Sequence, residues 1–223
     1  MTVNASFVFD LDGTLVDTAP DLLGAVNAVL RKEGRRAVDI TDLRHLVGHG
    51  ARAMLAEAMS MTGAPAEPDR LSGMFDDFIV HYRAHIADES RIFPSVEATL
   101  AQLAQDGARL GVLTNKPQEL SNKLLAELDL TKYFTAIHGA GRYPYSKPDA
   151  RVFYHVIDEL GGTYGDSIMI GDSITDVATA RAAGAPVIVV TYGYTPEPAH
   201  LLGGDAVTDH FADVPALAKR LLG

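Results

Sequence analysis

Short runs of apolar residues recur along the chain and predict the strands of a sheet. Residues 5–10 form a β-branched and aromatic run that ends in an acidic residue, and comparable runs cover residues 108–114, 167–171 and 186–191. Such runs, bounded by turn-forming residues, are typical of buried strands. A weaker run at residues 135–138 predicts a fifth strand.

Between these runs, apolar residues repeat with the spacing of amphipathic helices. The predicted helices are residues 94–105, 117–128, 148–160, 174–183 and 214–222, and the first three begin with a proline near the first helical position. Strands that alternate with helices indicate βαβ crossovers and an α/β fold, a doubly wound parallel sheet. In such sheets, ligands bind beyond the carboxyl ends of the strands.

One long segment breaks this alternation. Residues 20–89 keep helical periodicity and contain no convincing strand, so the pattern predicts an all-helical insertion after the first strand. We therefore expect two domains. Residues 1–18 and 90–223 form the α/β core, and residues 19–89 form the helical domain.

Composition narrows the classes of function. The chain has 223 residues, with 29 acidic against 19 basic side chains and a net charge of -10, so neither nucleic acid nor an anionic membrane is an expected partner. It contains no cysteine, which excludes disulfides, cysteine-based zinc sites and thiol catalysis. The start of the chain lacks the pattern of a secretion signal, and no apolar run is long enough to span a membrane. We predict a cytoplasmic protein.

Two acidic residues follow the first predicted strand. Asp10 and Asp12 lie two positions apart, and Gly13 lets the chain turn after them. Paired carboxylates at a strand end suit Mg²⁺, which prefers oxygen ligands, and a carboxylate can also accept a phosphoryl group. The alternative is a plain turn with capping acids, since Asp-Gly is a common turn sequence.

A second acidic pair follows the predicted strand at residues 167–171. Asp172 stands at its end and Asp176 lies one turn into the next helix. If the two strands are neighbours, Asp10, Asp12 and Asp172 converge on one cation. The alternative is that Asp172 or Ser173 caps this helix.

Two further polar signals stand at other strand ends. Thr114 and Asn115 precede a helix, where a hydroxyl and backbone N–H groups can hold a phosphate. Lys147 precedes another helix and supplies the positive charge that carboxylates gathered around a phosphate require. By themselves, these two signals are also explained by a helix cap and a solvated lysine.

The four signals, in this order, resemble the motifs of the haloacid dehalogenase superfamily of phosphohydrolases over nearly the whole chain. The resemblance implies that Asp10 is the nucleophile and that Asp12 is the general acid and base. It also implies that Thr114 and Lys147 are catalytic and that Asp172 and Asp176 join Asp10 and Asp12 in binding Mg²⁺. The second acid, Asp12, favours phosphoester chemistry over dehalogenation.

A closer similarity points to the phosphoglycolate phosphatases within this superfamily. It lies in residues 9–21, 114–117 and 190–194, and the departure is Ala150, where the family commonly has proline. The resemblance implies that the helical insertion is a mobile cap domain and that the substrate is a small phosphorylated metabolite, 2-phosphoglycolate, hydrolysed through an aspartyl phosphate. Predicted substrate-binding residues in the core are Gly13, Thr14 and Asn115.

Three other functions share part of this pattern. A phosphomutase uses the same motifs but returns the phosphoryl group to a sugar, and a phosphatase for a sugar phosphate or pyrophosphate differs only in its cap contacts. A signalling receiver also combines acids, a threonine and a lysine. However, it phosphorylates an aspartate on the third strand, whereas Asp10 follows the first. The sequence does not indicate the oligomeric state.

A glycine-rich segment lies within the helical insertion. Gly48, His49, Gly50 and Arg52 are the predicted substrate-binding residues of the cap, with Arg52 suited to a bidentate contact with a carboxylate. The same segment fits the loose dinucleotide-binding pattern, which requires a preceding strand that the sequence does not predict. A plain turn between two helices is the other alternative.

Two histidines, His81 and His85, are spaced to share a helix face. Such a pair can chelate a transition metal, but no cysteine or third histidine nearby completes a zinc site.

Overall fold

A computed structural model of the protein describes residues 4–43, 46–47 and 50–223. The chain divides into two compact units. One comprises Met1–Val16 with Ile92–Gly223, and the other is Asp17–Arg91. Among the described residues, no helix combines the length and apolar character that a bilayer crossing requires.

Eight strands are present in the described part of the chain. In chain order they are β1 (Ser6–Phe9), β2 (Val16–Asp17), β3 (Arg91–Ile92), β4 (Arg109–Pro117), β5 (Ala136–Ala140), β6 (Ser167–Gly171), β7 (Val187–Val190) and β8 (Ala206–Thr208). Six of them form a parallel sheet in the order β5-β4-β1-β6-β7-β8, while β2 and β3 pair separately.

Nine α-helices accompany these strands in the described residues. In chain order they are α1 (Ala19–Lys32), α2 (Ile40–Leu43), α3 (Ala51–Thr62), α4 (Pro68–Ala84), α5 (Val96–Gln105), α6 (Gln118–Glu127), α7 (Ala150–Leu160), α8 (Ile174–Ala183) and α9 (Val214–Leu222). The expected α/β class with a doubly wound parallel sheet is confirmed.

The first strand occupies the centre of the sheet. Phe7 pairs with Leu110 of β4 on one side and with Ile168 of β6 on the other. All four residues of β1 are buried, as expected for a parallel strand covered on both faces. Because β4, β1 and β6 are adjacent and parallel, the residues that follow them meet at one edge of the sheet.

Three helices begin slightly later than the prolines suggested. Pro94 and Pro148 stand two residues before α5 and α7, and Pro117 caps α6. At α7, the side chain of Asp149 accepts a hydrogen bond from the Arg151 N–H at 2.9 Å and thereby marks the start. The prolines therefore precede the helices, and the helical backbone begins one or two residues after each of them.

The strand β8 was not predicted. It spans only three residues at the edge of the sheet and follows the glycine pair Gly203 and Gly204. Its edge position gives it one partner, β7, through pairs such as Val190 with Thr208. So short a segment lacks the alternation by which a strand is recognised in a sequence.

The second unit is built from α1 to α4. Phe78 and Tyr82 of α4 stack at 5.6 Å between ring centroids and are buried, as are Met54 and Leu55 of α3. The carboxylate of Asp21, in the first turn of α1, accepts hydrogen bonds from the backbone N–H and hydroxyl of Ser90 at 2.7 and 2.6 Å. This contact ties the two ends of the unit together.

Candidate active site

Asp10 lies at the carboxyl end of β1, where the sheet gives way to a polar pocket. Its backbone N–H continues the ladder by donating to the Ile170 carbonyl at 2.9 Å, and the residue is 8% exposed. Asp172 stands at the equivalent place after β6 and is 3% exposed. The condition set for the convergence of these acids is met, because β1 and β6 are neighbours, and their adjacency brings both carboxylates to one site.

Three carboxylates share this pocket. Asp10, Asp172 and Asp176 each offer an oxygen, and these oxygens all lie within 4.8 Å of one another. We call this group the acidic trio. The carboxylate of Asp12 is not part of it.

The two oxygens of Asp172 are held separately. Oδ1 accepts a hydrogen bond from the Thr14 hydroxyl at 3.1 Å, and Oδ2 accepts one from the Tyr194 backbone N–H at 2.7 Å. Thr14 was predicted to bind substrate. In the structure its buried hydroxyl contacts Asp172.

Asp176 combines a helix cap with a place in the trio. Ser173 caps α8, and the Asp176 Oδ2 accepts from the Ser173 hydroxyl at 2.6 Å and from the Ser173 N–H at 3.1 Å, which completes a capping box. The other oxygen, Oδ1, lies 2.7 Å from the Lys147 ammonium. Capping therefore belongs to Ser173 and Asp176, and Asp172 is left for the acidic trio.

Lys147 supplies the positive charge of the pocket. Its ammonium lies 2.8 Å from Asp10 Oδ1 and 2.7 Å from Asp176 Oδ1, with 2% of the side chain exposed. Asn115 holds the backbone of this lysine from β4, since its Oδ1 accepts from Lys147 N–H at 3.1 Å and its Nδ2 donates to Lys147 O at 3.2 Å. Asn115 was predicted to bind substrate. In the structure, the oxygen and the nitrogen of its side-chain amide both bond to the backbone of Lys147.

Burial is the main cause of the raised pKa values of the two aspartates in the pocket. Burial raises the pKa of Asp10 to about 7 against the attraction of Lys147, and burial with the nearby Asp176 raises that of Asp172 to about 8. Burial opposes the charged form of Lys147, but Asp10 and Asp176 raise its pKa above the ordinary value.

The donor set fits a hard divalent cation. Asp10 Oδ1 is buried and forms an ion pair with Lys147 but no well-aligned hydrogen bond. One ammonium facing three carboxylates leaves negative charge uncompensated, and hard cations such as Mg²⁺ prefer carboxylate oxygens.

Asp12 pairs with a lysine that the sequence analysis did not single out. The Lys116 ammonium donates to Asp12 Oδ1 at 2.9 Å, and the side chains are 3% and 16% exposed. The Lys116 backbone N–H donates to the Thr114 hydroxyl oxygen at 3.1 Å, which leaves that hydroxyl proton for another acceptor. Its position directly after Thr114 and Asn115 is the sequence feature that could have identified Lys116 as a site residue.

Glycines make room for these carboxylates. Gly13 adopts a φ of 85°, and a Cβ there would lie 2.6 Å from Asp172 Oδ2. A Cβ at Gly171 would lie 2.3 Å from the carboxyl carbon of Asp176. A side chain at either position would therefore displace the acidic trio.

The glycine-rich segment of the helical unit is only partly described. Gly48 and His49 lie outside the described residues. Gly50 caps α3 with a φ of 90°, and the exposed Arg52 places its guanidinium 4.2 Å from the centroid of the Phe75 ring. Residues 40–43 are helical, so they do not supply the strand that a dinucleotide-binding pattern requires.

The two histidines lie close together at the end of α4, where His81 is in the last turn and His85 is the C-cap residue. The rings of His81 and His85 lie 4.5 Å apart, and His85 Nδ1 contacts Asp88 at 2.7 Å. Among the described residues, however, the acidic trio is the one group that brings three potential metal ligands together.

Known proteins resemble this chain over nearly its full length. The family model for haloacid dehalogenase-like hydrolases matches residues 7–190. The phosphoglycolate phosphatase of Caulobacter vibrioides is 44% identical, with 98% of this chain and 92% of the relative covered, and that of Agrobacterium fabrum is 44% identical, with 96% and 93% covered.

Solved structures show the same architecture. The crystal structure of a predicted phosphoglycolate phosphatase from Haemophilus somnus has a TM-score of 0.90 at 27% identity and covers 97% of this chain and 98% of its own. A predicted phosphatase from Clostridium acetobutylicum has a TM-score of 0.81 at 28% identity, with 99% of each chain covered. By its sequence and its fold, this chain is a member of the haloacid dehalogenase-like hydrolase family.

Proposed function

We propose that the protein is a Mg²⁺-dependent phosphatase that hydrolyses 2-phosphoglycolate to glycolate and phosphate. The observation that carries the proposal is the buried acidic trio around Lys147 at the carboxyl end of β1. Relatives with 44% identity bear the name phosphoglycolate phosphatase, which supports this choice of substrate.

In this proposal, Asp10 is the nucleophile. A carboxylate oxygen of Asp10 forms a bond to phosphorus while the bond to the glycolate oxygen breaks. Asp12 donates a proton to the departing alkoxide and then accepts one from a water molecule, which attacks the aspartyl phosphate and restores Asp10. Lys116 keeps the Asp12 carboxylate in place through the ion pair at 2.9 Å.

Two groups stabilise the transferring phosphoryl group. Lys147, anchored by Asn115, contributes a fixed positive charge, and Thr114 contributes the proton of its buried hydroxyl. Both are already in position before substrate binds, so little reorganisation is required during the reaction.

The residues that would hold Mg²⁺ are Asp10 and Asp172, together with the backbone carbonyl of Asp12. Asp176, which already pairs with Lys147 and Ser173, orients the lysine or acts on the cation through water. A bound Mg²⁺ would offset the repulsion between the anionic nucleophile and the phosphate.

The helical unit is the proposed source of substrate selection. Residues 19–89 would act as the cap domain, with Gly48, His49, Gly50 and Arg52 meeting the part of the substrate that carries no phosphate. The Arg52 guanidinium is exposed and suited to a carboxylate, the group that distinguishes phosphoglycolate from a sugar phosphate. Closure of such a domain excludes water from the reaction.

Phosphate release from a substrate panel tests the proposal. The panel contains 2-phosphoglycolate, several sugar phosphates and pyrophosphate, each with Mg²⁺ and with chelator. We expect the highest kcat/KM on 2-phosphoglycolate and no turnover in chelator. Undiminished activity in chelator, or in Asp10→Asn, would refute the mechanism.

The same panel separates the alternatives. Equal turnover of 2-phosphoglycolate and bulky sugar phosphates would refute the proposed substrate. Conversion of a sugar phosphate to its isomer, without accumulation of free phosphate, would identify a phosphomutase instead.

A further inference from the structure

The loop that follows β7 contacts the acidic trio. Residues 190–194 are part of the similarity to the phosphoglycolate phosphatases, but the proposed reaction gives them no task. We call residues 191–194 the β7 loop. Its Tyr194 N–H donates to Asp172 Oδ2 at 2.7 Å, so one oxygen of this carboxylate is held by the loop backbone.

Gly193 lets the loop approach the acid. A Cβ at this position would lie 2.2 Å from the Asp172 Cβ and 2.3 Å from its Oδ2, distances that no side chain can occupy. The backbone of Gly193, unlike that of Gly13, is not in the left-handed region. Its lack of a side chain is therefore required by the contact with Asp172 and not by the conformation of the loop.

Tyr192 links the same loop to the opposite side of Asp172. Its hydroxyl donates to the Thr14 carbonyl at 3.0 Å, and the Thr14 hydroxyl donates to Asp172 Oδ1 at 3.1 Å. The Tyr192 ring packs on Phe93 with 4.4 Å between centroids, which fixes the direction of the hydroxyl. The loop thus restrains both carboxylate oxygens, one directly and one through Thr14.

The start of the β7 loop is anchored to the sheet. The Thr191 N–H donates to the Thr208 carbonyl at 3.1 Å, and the Thr191 hydroxyl donates to Asp209 Oδ1 at 2.6 Å. A loop that is fixed at its origin and packed against Asp172 can hold the carboxylate in one orientation. Preorganised ligands matter for metal binding because partners that orient a ligand typically change affinity by about 10–100-fold when removed.

We propose that the β7 loop positions Asp172 for metal binding, with Gly193 and Tyr192 as positioning residues. The inference rests on the proposed use of Mg²⁺ at the acidic trio. In this inference, the loop orients the Asp172 carboxylate and does not contact the substrate.

The test is calorimetric titration of the metal-free protein with MgCl₂, which measures binding without turnover. We expect Gly193→Ala to weaken Mg²⁺ binding by at least about tenfold, because its methyl group displaces Asp172. Tyr192→Phe keeps the ring and loses the hydroxyl. It should weaken binding by a smaller factor, below about tenfold, because Tyr192 acts on Asp172 Oδ1 through Thr14. Gly165→Ala is the matched control, because a Cβ at Gly165 meets nothing within 4 Å.

A second readout is the rise in Tm that Mg²⁺ produces at a fixed concentration, which falls as affinity falls. Circular dichroism in chelator shows whether Gly193→Ala folds. If it does not, Tyr192→Phe is the deciding variant. Tyr164→Phe is its control, because the Tyr164 hydroxyl donates to the exposed Asp158 at 2.7 Å.

The outcomes separate this inference from the proposed function. Weaker Mg²⁺ binding in Gly193→Ala and Tyr192→Phe, with both controls like the wild type, supports it. Wild-type affinity in both loop variants overturns the inference and leaves the proposed reaction standing. A wild-type protein that binds no Mg²⁺ overturns both.

Discussion

The acidic trio and the glycine-rich segment of the helical unit are both candidate sites, but they are built differently. In the α/β unit, Asp10, Asp172 and Lys147 are buried, and each has partners that fix its position. In the helical unit, Gly50 and Arg52 are exposed, and Arg52 rests on the face of Phe75.

In the proposed mechanism, this difference separates chemistry from selection. Burying a charge destabilises the folded protein unless the charge is paired, so the carboxylates of the trio need fixed partners. Removal of those partners is expected to change the rate of reaction. An exposed guanidinium on an aromatic ring gains about 0.5–1 kcal/mol and can exchange that contact for a substrate carboxylate. Substitutions in the α/β unit should therefore act mainly on kcat, and those in the helical unit mainly on KM.

The largest expected effect is that of Asp10→Asn. Loss of the proposed nucleophile should lower kcat by at least about 10³-fold, while the fold is retained because the amide has the same shape. Steady-state phosphate release and the Tm measure the two effects, with the exposed Asp106→Asn as control. If Asp10→Asn retains wild-type turnover, the α/β site is not where the chemistry occurs.

Lys116→Met should have the next largest effect. The variant keeps an unbranched side chain, one atom shorter, but removes the charge that pairs with Asp12. We therefore expect kcat to fall by about 10–100-fold with a smaller change in KM. Lys116→Arg should restore part of the rate. A change confined to KM would mean that Lys116 acts on substrate binding instead.

Arg52→Ala tests the proposed role of the helical unit in substrate binding. We expect KM for 2-phosphoglycolate to rise by about tenfold, with kcat changed little, because the substrate carboxylate loses its partner. Phe75→Leu, which removes the ring beneath Arg52, is the control for the cation–π contact. An equal loss of kcat in Arg52→Ala would show that the helical unit also takes part in the chemistry.

The last expected effect concerns stability and pH, not the rate of reaction. Since burial raises the pKa of Asp10 to about 7 and of Asp172 to about 8 from 3.8, the native state retains protons that the unfolded state releases. In chelator, the free energy of unfolding should therefore fall as pH rises from about 4 to about 8.

Mg²⁺ should reverse this loss. At pH 8 a bound Mg²⁺ offsets the repulsion among ionised carboxylates, whereas at pH 5 it must displace protons from them. The rise in Tm that Mg²⁺ produces should therefore be larger at pH 8. Thermal unfolding at both pH values measures this, and Asp172→Asn should show a weaker dependence. A Mg²⁺-induced rise in Tm that is larger at pH 5 would contradict the assignment of the trio as a metal site.

The elements that build the α/β site were predictable because their signals are local. The strands before Asp10 and Asp172 are short apolar runs, and each ends at an acidic residue. Their adjacency in the sheet was a condition of the prediction, since strand order depends on contacts distant in sequence. The structure supplied it through the pairing of β1 with β6.

Other features could not be read from the sequence because they depend on packing. The ion pair of Lys116 with Asp12 joins residues 104 positions apart, and the contact of the β7 loop with Asp172 joins residues 22 positions apart. A glycine such as Gly193 carries no visible signal of the side chain that it accommodates. In the helical unit, the roles of Gly48, His49, Gly50 and Arg52 in substrate binding remain predictions, and the first two lie outside the described residues.

Rapid acid quench followed by peptide mass spectrometry tests the central claim most directly. During turnover of 2-phosphoglycolate with Mg²⁺, the proposed mechanism predicts one phosphoryl group on the peptide that carries Asp10, formed at least as fast as phosphate is released. The phosphoryl group should disappear when substrate is exhausted and be absent in Asp10→Asn. Steady release of phosphate with no phosphorylated Asp10 at any time, or with the phosphoryl group on another residue, would contradict the account.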